Sequence, residues 1–235
     1  PYRSACNANG QFVHLGWVSR RAAKAGVHRG PVPVWLSTTA TGSATVIDSV
    51  AGSERWGIVV DGIFRGSGPL PFGRQPVLAI GRSRVYVGDA NSWSIAVYDL
   101  TGRRLAPLVR PTTSLVVTAE DVRAFVDDEV ARDGEAERPR IERSVAAMTL
   151  PKVHPPYTAI LVDAADHVWV RGAHGVRSAT APWSIFSPTG GFVTEVQMPA
   201  ALQPFEIGLD YVLGRHPDPE TDAPQVHVHR VTRPR

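Results

Sequence analysis

Short apolar runs of four to eight residues, separated by breaks containing Gly, Asn, Asp and Pro, recur along almost the whole chain. The clearest unit is residues 76–111. There PVLAI is followed by the turn Gly81–Ser83, then VYV, a loop over Gly88–Ser92, WSIAVYDL, the turn Thr101-Gly102 and RLAPLVRP. Residues 157–199 repeat it as YTAILV, the turn DAADH, VWV, a longer loop from Arg171 to Pro182, WSIFSP, the turn Thr189-Gly190-Gly191 and FVTEVQMP. Partial copies flank these two. FVHLGWV, PVWLST and ATVIDSV read as second, third and fourth strands at the front, and LDYVLG and QVHVHRV as second and third strands at the end. Val, Ile, Trp and Tyr suit a pleated, half-buried surface, and Gly gives tight turns their backbone freedom, so each run is predicted as a strand.

The internal repeat decides between architectures. A β-sandwich also offers short strands at this spacing. The near-literal return of WSIAVYDLTGRR as WSIFSPTGGF instead favours four-stranded antiparallel blades, and hence an all-β propeller with about four blades in this chain. One long connection, residues 112–156, breaks the pattern. Thr118 with Asp121 three residues on makes a capping-box start, and Val122, Phe125, Val126 and Val130 form one apolar stripe, so a short helix is expected, ended by Gly134 and Pro139. The other long connection, 52–75, is rich in Gly and Pro and reads as ordered loop. The last unit stops after a third strand, which suggests a single incomplete domain over 1–235, cut on its N-terminal side.

The segments WSIAVYDLTGRRLAPLVRP, AILVDAADHVWVRG and WSIFSPTGGFVTEVQMPAALQPFEIGLDYVLG resemble the six-bladed propellers related to NHL-repeat and gluconolactonase-like proteins. The resemblance covers residues 76–231 well and the front more loosely. It implies a part of a six-bladed ring and an extracytoplasmic setting, secreted, periplasmic or lipid-anchored. It leaves two functions in view: a non-enzymatic binding or scaffold module, the preferred one, and a metal-dependent hydrolase or lyase with its site on the propeller axis.

In such blades the second-to-third loops and the blade connections share one face, and every long loop of this chain falls there. Long loops on a rigid scaffold are where binding resides. That face collects Arg20, Arg21, Lys24, His28 and Arg29, then Asp89, Asn91 and Ser92, Arg171, His174 and Arg177, and Arg215 with His216. Its cationic character suits an anionic small molecule or polymer held by Arg forks, or an unidentified protein partner.

Charge supports this only locally. The formal net charge is +3, but residues 118–142 take nine of the 22 acidic and four of the 25 basic residues, leaving 21 basic against 13 acidic elsewhere. Only Lys24 and Lys152 are lysines, so the surplus is Arg, which makes fixed, forked contacts. No basic strand is interleaved with aromatics, so nucleic acid is not an expected partner. No apolar run nears the roughly 20 residues of a membrane span. At 235 residues with 43% apolar composition, the chain can bury a substantial core.

Other chemistry is sparse. Cys6 is alone and has no neighbouring His to activate it. Asp163 and Asp166 flank a turn and are read as turn formers, not as members of an axial calcium site, which needs carboxylates from several blades. His227 and His229 alternate in one strand with His216 nearby, too few for a metal site without a further ligand. No cofactor is expected, and no nucleophile-elbow, phosphate-loop or dinucleotide motif is present. Trp93 and Trp183 open equivalent strands and are expected to anchor the packing between blades.

Overall fold

Each repeat folds as one small antiparallel sheet. The computed structural model describes residues 4–16, 25–60, 62–111, 114–218, 221 and 223–232. The first blade joins β1 (Ser4–Cys6), β2 (Gln11–Leu15), β4 (Pro31–Thr38) and β5 (Ala44–Ala51) in that order. Between its members runs β3 (Gly26–His28), which pairs instead with β6 (Arg55–Val60) and β7 (Ile63–Pro69) in a separate sheet. The second blade is β8 (Val77–Ile80), β9 (Arg84–Gly88), β10 (Ser94–Asp99) and β11 (Arg104–Val109). The third is β12 (Tyr157–Val162), β13 (Val168–Gly172), β14 (Thr180–Phe186) and β15 (Phe192–Pro199). The fourth comprises β16 (Gln203–Ile207), β17 (Tyr211–Pro217) and β18 (Pro224–Arg230). Helices α1 (Ala119–Asp133) and α2 (Arg138–Ala146) lie between the second and third blades.

The strand alternation explains how blades stack. Within β8, Leu78 and Ile80 turn to one side and pack with Val13, Val34 and Leu36 of the first blade. Val77 and Ala79 turn to the other side and pack with Tyr157, Ile160 and Val168 of the third. The third and fourth blades share a further core, with Trp169 and Trp183 against Leu202, Ile207 and Val212. The first strands contact one another in series, β1 with β8, β8 with β12, and β12 with β16. Sheets packed face to face with their first strands side by side form the radial array of a β-propeller. Each fully buried Val, Leu, Ile or Phe contributes roughly 1.5–3 kcal/mol, so every blade is held mainly by its neighbours.

The expected anchors sit in these interfaces. The ring of Trp93 lies 5.8 Å from that of Tyr157 and 5.5 Å from that of Phe186, joining blades two and three. Trp183 is 1% exposed in the next interface. The turns repeat as well: Asp99, Asp163 and Ser187 each accept with a side-chain oxygen from the amide four residues on. Asp163 also accepts from Trp169 Nε1 at 2.8 Å, and Asp166 takes the turn's left-handed position, φ +68°, while its carboxylate accepts from the Arg82 amide of the second blade at 2.9 Å.

Three expectations need correction. Residues 52–75 hold strands β6 and β7 where a loop was expected. Gly66, Gly68 and Pro69 are compatible with a strand because they belong to β7, an edge of this three-stranded sheet, with β6 at its centre. The connection 112–156 carries two helices, not one: Pro139 falls in the first turn of α2, where its missing amide donor costs nothing, so it starts a helix and does not end one. The strand β16 had no predicted counterpart. Its register shifts between Pro204 and Glu206, and this irregularity accommodates a proline that hides the strand in the sequence.

Candidate functional site

Second strands β9, β13 and β17 all end toward the same face, and the inserted elements lie there too. One insertion is the sheet β3-β6-β7, and the other is the helical pair, whose own core is Val126, Val130, Ile141 and Val145. Two cavities lie beside the starts of the first strands.

The larger, about 600 Å³, is bounded by β8, β12 and β16, with Val77, Leu78, Ile160, Leu161, Trp183 and Phe205 giving it apolar walls. Polar groups come from Thr158, Gln203, Arg171 and Arg215. Among the described residues no acidic one lines it. Arg171 is placed by β13 opposite Ala159 of β12. Its Nη2 donates to the Ala200 carbonyl at 2.6 Å, while its Nε is buried with no hydrogen-bond partner among the described residues. Burial pushes this guanidinium below its ordinary pKa. Arg215, opposite Gln203 across β16 and β17, donates to the Gln203 side-chain oxygen at 2.6 Å.

The smaller cavity, about 260 Å³, is walled by Phe72, Gln75, His154, Ala173, His174 and Val176, among others, and meets the larger at Thr158. Capping chemistry lies behind two residues of its lining, His154 and Val176. Thr118 Oγ1 accepts from the Asp121 amide, and Asp121 accepts from the Thr118 amide and hydroxyl, closing the predicted capping box. Asp121 also accepts from Val176 N at 2.8 Å and lies 3.3 Å from His154 Nε2. Burial alone would raise the Asp121 carboxyl, but the amides of Val176 and Thr118, with the Thr118 hydroxyl and His154, outweigh it and hold it well below the usual carboxylate range. His154 is buried, with Phe72 edge-on at 5.5 Å, and Phe72 has the left-handed φ of +58° that a bulky residue rarely adopts. His174 Nδ1 lies 3.0 Å from the Gly175 carbonyl. Burial pushes its imidazole below the ordinary pKa; Arg171 and His154 act in the same direction, against the Gly175 hydrogen bond.

The sequence-derived residues divide among several roles. Arg171, His174 and Arg215 line the cavities. Arg29 forms a clasp between blades, donating to the carbonyls of Gly52, Ala51 and Asp89 and to Asn91 Oδ1, and Asp89 in turn accepts from Asn91. Arg74, fixed by a 2.5 Å ion pair to buried Glu54, donates to the same Asn91 oxygen. Arg177 faces α1, pairing with Asp128 at 2.9 Å. His28 lies in β3, with Nδ1 3.2 Å from the Gly26 carbonyl. His216 has its ring 5.4 Å from that of His227, which is 5.8 Å from that of His229. Arg20, Arg21 and Lys24 lie outside the described residues. Among the described residues no three His, Cys, Asp or Glu side chains are grouped so as to hold a metal ion. Sequence reasoning missed His154, Thr158 and Gln75. Only Thr158 left a trace, as the one polar residue in YTAILV.

No family model and no curated protein matches the sequence. Among solved structures, the chain is similar to a luciferin-regenerating enzyme, with a TM-score of 0.40, 12% identity, and coverage of 97% of this chain and 60% of that one. It is also similar to the hydrazine synthase of Kuenenia stuttgartiensis, with a TM-score of 0.37, 10% identity, and coverage of 99% and 63%. The chain thus spans about three fifths of either structure's length.

Proposed function

We propose that this chain is a non-enzymatic binding module that takes a small anionic molecule with an apolar body in the cavity between β8, β12 and β16. The observation that carries the reading is one cavity whose apolar walls carry two guanidinium groups, those of Arg171 and Arg215. Guanidinium groups beside apolar walls suit a ligand with an anionic end and a hydrocarbon body, since charge-assisted bonds to a carboxylate are the strong ones. Among the described residues no carboxylate competes within the lining, and the apolar walls accept a hydrocarbon portion. An extracytoplasmic setting remains part of the proposal, on the family resemblance.

The test compares octanoate with octanol, its uncharged counterpart, by isothermal titration calorimetry on the full chain. Octanoate should bind in a salt-sensitive manner, octanol much more weakly, and Arg171→Gln should weaken octanoate about tenfold or more, the scale of one lost charge-assisted hydrogen bond. Equal binding of acid and alcohol, or octanoate binding indifferent to Arg171→Gln, would sink the reading. A divalent metal retained stoichiometrically, together with metal-dependent lactone hydrolysis, would overturn it in favour of a gluconolactonase-like hydrolase.

A further inference from the structure

A break in the alternation of β12 links the two cavities. Tyr157, Ile160 and Val162 face the second blade, while Ala159 and Leu161 face the fourth. Two residues, not one, therefore separate Tyr157 from Ile160. The register shows the same irregularity, because Tyr157 pairs with Gly172 and Ala159 with Arg171, so Thr158 has no partner across the ladder. Thr158 is the extra residue of a β-bulge, a device that re-aims a side chain and recurs beside functional sites. It is exposed although it lies on an innermost strand, and it lines both cavities.

The groups beyond Thr158 differ from those before it. On the near side are two guanidinium groups and apolar walls. On the far side the polar groups are Gln75, His154 and His174, with no Arg, Lys, Asp or Glu in the lining. Burial disfavours the charged form of His174, so that imidazole is neutral at pH 7 and offers hydrogen bonds without charge. Amide, hydroxyl and neutral imidazole together suit a group that both donates and accepts, such as a hydroxyl.

Resting on the proposed anion site, we infer that the two cavities form one elongated site. Its ligand is an amphipathic acid whose carboxylate lies at Arg171 and Arg215 and whose far end, bearing a hydroxyl, passes Thr158 into the imidazole-lined pocket. Thr158 is then a specificity-determining residue. Its hydroxyl touches the ligand where the chain crosses from one cavity to the other.

The experiment titrates the full chain with octanoate, decanoate and dodecanoate and with their ω-hydroxy derivatives. Within the hydroxy series, affinity should rise once the chain is long enough to cross Thr158, and there the hydroxy acid should bind about three- to tenfold more tightly than its parent, the worth of one net hydrogen bond. Thr158→Val, which keeps the β-branched shape, should weaken the long acids by a similar factor and octanoate by clearly less. Gln75→Leu should erase the preference for the ω-hydroxyl. If hydroxylation brings no gain at any length, or Thr158→Val weakens short and long acids equally, the elongated site is wrong while the anion site stands, provided Arg171→Gln still weakens octanoate about tenfold or more. If no acid of either series binds, both readings fall together.

Discussion

Tyr157 shows how much a single residue holds in place. It opens β12, is fully buried, accepts from the Ala90 amide at 3.1 Å and donates to the Ser94 carbonyl at 3.0 Å. Ala90 has φ +56°, so its amide belongs to a backbone kink that the phenol fixes from the next blade. Burial pushes the phenol's pKa up, far from any titration near neutrality. The fit leaves no slack: a Cβ on Gly88 would lie 2.5 Å from the Tyr157 hydroxyl. Tyr157→Phe should therefore cost about 1–3 kcal/mol, the price of a buried amide and carbonyl left unpaired, read as a lower urea midpoint at constant m. A shift equivalent to under about 0.5 kcal/mol would show that water replaces the hydroxyl. Nothing about this contact is visible in the sequence, since its partners stand more than 60 residues away.

At the scale of elements, legibility followed the range of the interactions. The capping box of α1 was readable because Thr118 and Asp121 are three residues apart, but the tie from Asp121 to Val176 and its approach to His154 were not. Those distant partners give the insertion a definite pH response. The folded-state pKa of Asp121 is depressed below its ordinary 3.8, so its contribution is complete above that value. As pH falls below it, the unfolded chain binds the proton first and stability drains toward the folded-state pKa. Asp121→Asn should cost about 2 kcal/mol at pH 7 and flatten the loss of stability between pH 4 and 2, since charge-assisted bonds of this kind are worth about 1.5–3 kcal/mol. Urea unfolding at a series of pH values measures this; an unchanged acid slope in the variant would remove Asp121 as its source. The strand pair β6 and β7 was missed although Gly62, at φ +74°, follows Asp61 in a pattern typical of hairpin turns. Gly and Pro on either side obscured that signal.

For the whole molecule, blades that share cores should fail together. Phe186 belongs to β14 of the third blade, is 1% exposed, and packs with residues of the second. Phe186→Ala should cost about 3–5 kcal/mol and lower a single urea transition seen alike by circular dichroism and tryptophan fluorescence. Two separated transitions would mean that the blades unfold independently. The repeated strands, the all-β class, the turn chemistry of Asp99, Asp163 and Ser187, and the face bearing the long loops were determined by the sequence alone, because each rests on neighbours within a few residues. Tertiary structure decided which cations are saturated by backbone oxygens. Arg29 and Arg171 look alike in the sequence, yet one is saturated by carbonyls of adjoining loops while the other keeps a buried donor unpaired beside a cavity. That difference depends on where distant backbone oxygens come to rest when the blades pack, and local pattern carries no information about it.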